Sequence, residues 1–213
     1  IGNGNNGKSS CLGMLQHIMR GFYYTGEQRV ILATTGHKGN GEFLVPLKDA
    51  RLCCVNESGV QVPLDGESIK AQTGVDDEIT CRPLYGSPIS FVPQHKLFLV
   101  SNNEPTFDSC DAALGARVKL IPFNAKFQVT QASKLYLQTL RDDHADEIFS
   151  WLCQGARHVL QHGLPSCKAS EIRTAAFSSN QDTIAQFMET MARDTAAYLQ
   201  QTSGGKESRV KHS

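Results

Sequence analysis

The chain has 213 residues, room for one α/β domain with a small extra lobe but not for two full-sized domains. Hydrophobic residues make up 40% and charged residues 20%, which excludes wholesale disorder, and no apolar run approaches the ~18 residues that a membrane span needs. Lys+Arg 21 balance Asp+Glu 21, so the chain is not a bulk polycation. Any nucleic-acid binding must rest on local positive charge, on a loop or in a channel.

The seven cysteines include no C-x-x-C pair, which argues against a zinc site. With no signal peptide, they read as free thiols of a reducing, intracellular protein. The chain starts at Ile1 and is inside a motif by Gly2. The expectation is a segment of a longer protein.

Gly2-Asn3-Gly4-Asn5-Asn6-Gly7-Lys8-Ser9 fits G-x-x-x-x-G-K-[ST] in full. Glycines let a backbone curl so that successive N–H groups face phosphate oxygens. Lys8 is placed to reach the β and γ phosphates, and Ser9 to offer its hydroxyl to Mg²⁺. A helix should follow from Ser9 and Ser10, with Leu12, Leu15, Ile18 and Met19 on one stripe and its positive end toward the same phosphates. The buried strand that precedes such a loop is expected to be missing, with only Ile1 left of it.

Further on, Arg29 to Thr34 is predicted as a strand and Gly36 to Gly41 as a loop. Arg51 to Glu57 is predicted as a buried strand ending in a carboxylate, with neutral Asn56 before Glu57. A short helix is expected over Leu64 to Thr73, capped by Asp65 and closed by Gly74. Glu78 to Arg82 and Ile89 to Val92 read as strands around a Pro-rich turn. Lys96 to Ser101 reads as a fully buried strand and Arg117 to Pro122 as another. The chain is helical from Gln131. Two apolar stripes, Ile148-Trp151-Leu152-Val159 and Ile184-Phe187-Met188-Met191, read as core. This divides the chain into a core over 1–127, a helical lobe over 128–203 and a disordered polar tail over 204–213.

Taken in order, the P-loop, Asn56-Glu57, Lys70-x-x-Thr73-Gly74-x-Asp76, Arg82-Pro83-Leu84-Tyr85, Asn102-x-x-Pro105 and Arg117-Val118-x-x-Ile121-Pro122-Phe123 resemble the phage-and-plasmid primase family. Its carboxy-terminal part is a superfamily 3 helicase, and the poxvirus-type nucleoside triphosphatase-primases of large DNA viruses share the pattern. The resemblance covers roughly residues 2 to 191. It implies an AAA+-like P-loop α/β core with a helical lobe. The implied activity is that of a ring-forming, usually hexameric ATPase that uses ATP and Mg²⁺ to move on single-stranded DNA, in the cell where viral, phage or plasmid DNA replicates. A primase domain upstream is implied as well.

By the same resemblance Gly2 to Ser10 bind nucleotide, and Ser9 and Glu57 serve the metal. Lys8, Glu57, Asn102 and Arg117 are catalytic, Asn102 as the polar sensor and Arg117 as a finger into a neighbouring subunit. Ala116 departs from the family's Arg-Arg pair. Lys70, Arg82, His95 and Lys96 are the candidate DNA-binding residues around a pore hairpin. Two alternatives stand beside this reading: an inactive or truncated remnant of such a helicase, or another P-loop enzyme such as a small-molecule kinase.

Overall fold

A computed structural model describes residues 1–2, 4–32, 41–56, 63–108, 111–181, 188, 190–196 and 198. Asn3, Glu57, Ile184, Phe187 and the tail over 204–213 lie outside the described residues. The chain divides into two compact units, Ile1–Thr174 and Ala175–Ser213.

Helix α1 spans Lys8–Met19. Its first turn is set by Gly7, whose φ of 88° places the loop carbonyl to accept from Cys11 N at 2.9 Å. Strands β1 (Tyr23–Gly26) and β2 (Leu52–Asn56) pair in parallel, with Tyr23 opposite Leu52. Helix α2 (Gly66–Thr73), the antiparallel hairpin of β3 (Ile79–Cys81) and β4 (Ile89–Phe91), and then β5 (Lys96–Val100) follow. β5 pairs in parallel with the other side of β2, giving the order β1-β2-β5. The fold is therefore mixed α/β around a parallel sheet.

β2 is central, and Leu52, Cys53, Cys54 and Val55 are all buried, as a strand covered on both faces requires. Val30, Phe43, Leu47, Ile69 and Leu114 join it in one apolar core. Because all three strands run the same way, Gly26, Asn56 and Val100 end at one edge of the sheet, where ligands of open parallel sheets bind. Short helix α3 (Ala112–Arg117) and helices α4 (Gln131–Asp143), α5 (Ala145–His162) and α6 (Lys168–Gln181) complete the described elements. Among the described residues no helix is long and apolar enough to cross a membrane.

The predicted α2 is present with its cap: Asp65 accepts from Ser68 N at 2.9 Å and from the Ser68 hydroxyl at 2.8 Å. Four expectations are corrected. Arg29 to Leu32 is no strand; Gln28–Val30 is a 3-10 turn. Val30 and Ile31 are buried, but their carbonyls accept from the Gln72 side chain (2.7 Å) and from Asp65 N (2.8 Å) and so need no strand ladder. The sheet strand in this part of the chain is instead Tyr23–Gly26.

Arg117 is the last residue of helix α3, whose start Asp111 caps by accepting from Leu114 N at 2.8 Å. The next residues form no strand: Leu120 bonds through both backbone groups to Thr174 and Ser170 side chains, and Ile121 and Phe123 bond to Ile1. β5 is only partly covered, since β2 is its one neighbour in the described sheet, and Phe98 stays 37% exposed. The helical stripes are core only in part. On α5, Ile148 and Leu152 are half-buried while Trp151 and Val159 are exposed, as are Met188 and Met191.

Candidate functional site: a phosphate-type loop at the sheet edge

Three residues of the first loop have positive φ: Gly2 at 143°, Asn5 at 59° and Gly7 at 88°. Alternation of this kind turns backbone N–H groups toward a common centre, and α1 adds the free N–H groups of its first turn. A side chain on Gly2 would put its Cβ 2.5 Å from the Phe123 carbonyl oxygen, so this position tolerates only glycine. The loop is held from one side by the segment after Ile121. Phe123 N donates to Ile1 O at 2.9 Å, Phe127 N to Asn5 O at 2.8 Å, and Asn6 Nδ2 to Phe123 O at 3.1 Å.

Lys8 is 8% exposed. Its ammonium donates to Gly2 O, to Asn6 Oδ1 at 3.3 Å and to Asn102 Oδ1 at 3.2 Å. All three acceptors are uncharged. A buried cation among neutral oxygens keeps most of its charge uncompensated, which favours an anion at the mouth of the loop. The Asn102 contact joins residues 94 apart in sequence, so the predicted sensor and the loop lysine share one site. A cavity of about 820 Å³ opens there, with Ser9, Ser10, Asn56 and Asn102 on its wall.

These groups suit a nucleoside triphosphate with Mg²⁺. The loop N–H groups and Lys8 can hold phosphate oxygens, and the exposed Ser9 hydroxyl can take a metal position. No group of three or more acidic, histidine or cysteine side chains that could hold a metal occurs among the described residues. Glu57 follows Asn56 in sequence and lies outside the described residues.

The remaining candidates sit apart. Arg117 donates to the Lys70 carbonyl at 2.8 Å and is exposed. The Lys70 ammonium is shared between Glu67 at 2.5 Å and Asp111 at 3.0 Å, which raises its pKa. Asp111 is held below the usual carboxylate range by the Leu114 N–H first and then by Lys70. Arg82 follows β3 and braces the hairpin by donating to Gly86 O at 2.8 Å. Lys96 is exposed at the start of β5, the opposite end of that strand from Asn102.

His95 overturns its assignment as a DNA-facing residue. It is 4% exposed, and burial pushes its pKa down, with a Leu47 backbone group acting weakly against the shift. Neither ring nitrogen has a well-formed hydrogen bond among the described residues. A ring buried to this degree does not reach a DNA phosphate at the surface. Two residues at the site escaped sequence reading, Phe127 and Tyr136. They lie outside any motif, and only the fold brings them to the loop.

The chain is 34% identical over 127 residues to "Putative helicase L207/L206" of Acanthamoeba polyphaga mimivirus. The match takes in 59% of this chain but 13% of that protein, so the chain spans about an eighth of its relative's length. Residues 1–116, more than half of the 213, match the family described as a family of unknown function, DUF5906. The chain belongs to the DUF5906 family.

Proposed function

We propose that the chain is the nucleotide-hydrolysing core of a superfamily 3 type DNA helicase, an ATP-driven translocase on single-stranded DNA serving viral, phage or plasmid replication inside the host cell. The observation that carries this is Lys8, buried at the mouth of a left-handed loop and bonded to neutral oxygens including Asn102. The name of the mimivirus relative supports the helicase reading.

In this proposal Lys8 neutralises the β and γ phosphates, and Ser9 holds one Mg²⁺ position. Bound Mg²⁺ would supply charge neutralisation across the phosphates. Asn102 bonds the terminal phosphate while orienting Lys8. Glu57 acts as base toward the attacking water, and neutral Asn56 leaves it without a partner carboxylate in the motif. Arg117 serves a neighbouring subunit's nucleotide in a homo-hexameric ring, and a primase domain belongs to the longer protein.

The β3–β4 hairpin is the proposed contact to single-stranded DNA. Its tip exposes Leu84 (69%) and Tyr85 (98%). Gly86 N donates to Pro83 O at 3.0 Å, closing a turn in which Tyr85 has φ 59°. An aromatic residue held in a left-handed conformation in full solvent costs roughly 1–3 kcal/mol, a strain typical of functional positions. Beside Arg82 it offers a stacking face and a cation to an unpaired base.

The test is phosphate release by the chain from Mg-ATP, with and without single-stranded DNA and with no acceptor molecule added. DNA-stimulated release is expected. Release that DNA does not alter, or ADP formed only when a phosphoryl acceptor is added and without free phosphate, contradicts the proposal.

A further inference from the structure

We infer that Phe127 and Tyr136 form the platform on which the base of the bound nucleotide stacks, an inference that rests on reading Gly2 to Ser9 as the phosphate site. The 820 Å³ cavity is lined by two unlike groups of residues. One is the loop with Lys8 and Ser9. The other is an apolar wall of Phe127, Val129, Tyr136 and Leu137. Its volume falls in the range of ~300–1,000 Å³ usual for small-ligand sites.

Both aromatics are placed by the fold. Phe127 N donates to Asn5 O at 2.8 Å, which ties the residue to the loop. Its ring edge lies 3.4 Å from where a Cβ on Gly7 would be, so the ring stands directly over the last turn of the loop. Yet Phe127 is 57% exposed and Tyr136 63% exposed, so the rings keep open surface. Tyr136 is oriented by α4, whose start is held by a capping box between Thr130 and Ser133, with bonds of 3.1 and 2.9 Å.

Charge points the same way. The described residues of this cavity include the cations Lys8 and Lys134. A second cavity of about 1150 Å³ also touches the loop at Gly2 and Gly4; its wall carries Lys126 and a Glu104–Arg173 ion pair of 2.7 Å, and it does not reach Lys8. The first cavity is the one that joins Lys8 to the wall of Phe127 and Tyr136, and a ligand with a polyanionic end and a flat apolar end fits it. A nucleoside triphosphate has that form.

The experiment measures, by calorimetry on the whole chain, the affinity for Mg-ATP and for Mg-tripolyphosphate, which lacks base and sugar. The parent is expected to bind ATP more tightly than tripolyphosphate. Phe127→Ala and Tyr136→Ala should each weaken ATP by roughly 5- to 100-fold, the scale of one base–aromatic stack. Tripolyphosphate should stay within about twofold of the parent. Phe127→Trp should retain ATP, and Lys8→Ala should weaken both ligands. If the two alanine variants keep the parent's preference for ATP, the base lies elsewhere and the phosphate site stands. Equal loss of both ligands in those variants also overturns the platform, since the aromatics would then only shape the loop. If the parent binds neither ligand, both readings fall.

Discussion

Lys8 is buried with three neutral acceptors, an arrangement that costs stability and that the proposed anionic ligand would offset. Lys8→Met keeps the volume and removes the charge, so the melting temperature should hold or rise while nucleotide binding is lost. A clear fall in melting temperature would mean that the lysine is structural. His95 makes a second residue-scale case. Its folded pKa is lowered by burial, so its contribution to stability is present above its ordinary pKa of 6.5 and is lost as pH falls through the folded value. Denaturant melts at pH 7 and pH 5 should show His95→Phe losing less stability on acidification than the parent. Equal acid sensitivity would mean that other groups carry it. Cys53 shows the opposite sign. Burial pushes its thiol up to about 12 from 9.0, so its contribution is full below pH 9 and fades toward pH 12. At neutral pH, alkylation should mark the exposed Cys11, Cys153 and Cys167 and spare Cys53 until the chain unfolds.

At the scale of elements, α2 depends on its cap. Asp65→Ala removes both bonds to Ser68 and is expected to lower unfolding free energy by about 1–2 kcal/mol, read from urea midpoints. The hairpin tip should matter for DNA and not for folding. Tyr85→Ala is expected to weaken binding of an oligothymidine by roughly 5- to 100-fold and leave stability unchanged or improved, because the φ of 59° is released. Unaltered DNA affinity in this variant would remove the hairpin from the interface. Elements with local signatures were legible in the sequence: the cap of α2, the apolar run of β2 and the Pro-rich turn between β3 and β4. Tyr23–Gly26 was not, because Y-Y-T-G carries no alternation and becomes a strand only by pairing with β2. Arg29 to Leu32 and Val118 to Pro122 failed in the reverse sense. Their apolar runs are real, but their backbone groups bond to side chains of α2 and α6, or to Ile1, and form no ladder. Of the site, the loop and Asn102 were readable from motif spacing. The wall of Phe127 and Tyr136 was not, since contacts across more than a hundred residues leave no local pattern.

At the scale of the molecule, the parallel sheet gathers the loop, Asn56 and Asn102 at one edge while Arg117 points away to bond α2. Arg117 lines a different cavity from the one that holds Lys8, so in the proposed ring it would have to act on a neighbouring subunit's nucleotide. Subunit mixing tests this. Lys8→Ala subunits retain Arg117, and Arg117→Ala subunits retain the loop, so mixed oligomers should recover activity that neither parent variant shows. Mixed oligomers with no recovered activity, or full activity of Arg117→Ala alone, would assign the arginine to the α2–α3 contact. The central claim, that this loop hydrolyses a nucleoside triphosphate, is reached most directly by steady-state phosphate release from Mg-ATP for the parent chain and for Lys8→Ala, each with single-stranded DNA present. The expected result is measurable turnover by the parent and release at background by the variant, with circular dichroism showing both folded. Turnover by Lys8→Ala near that of the parent would contradict the claim.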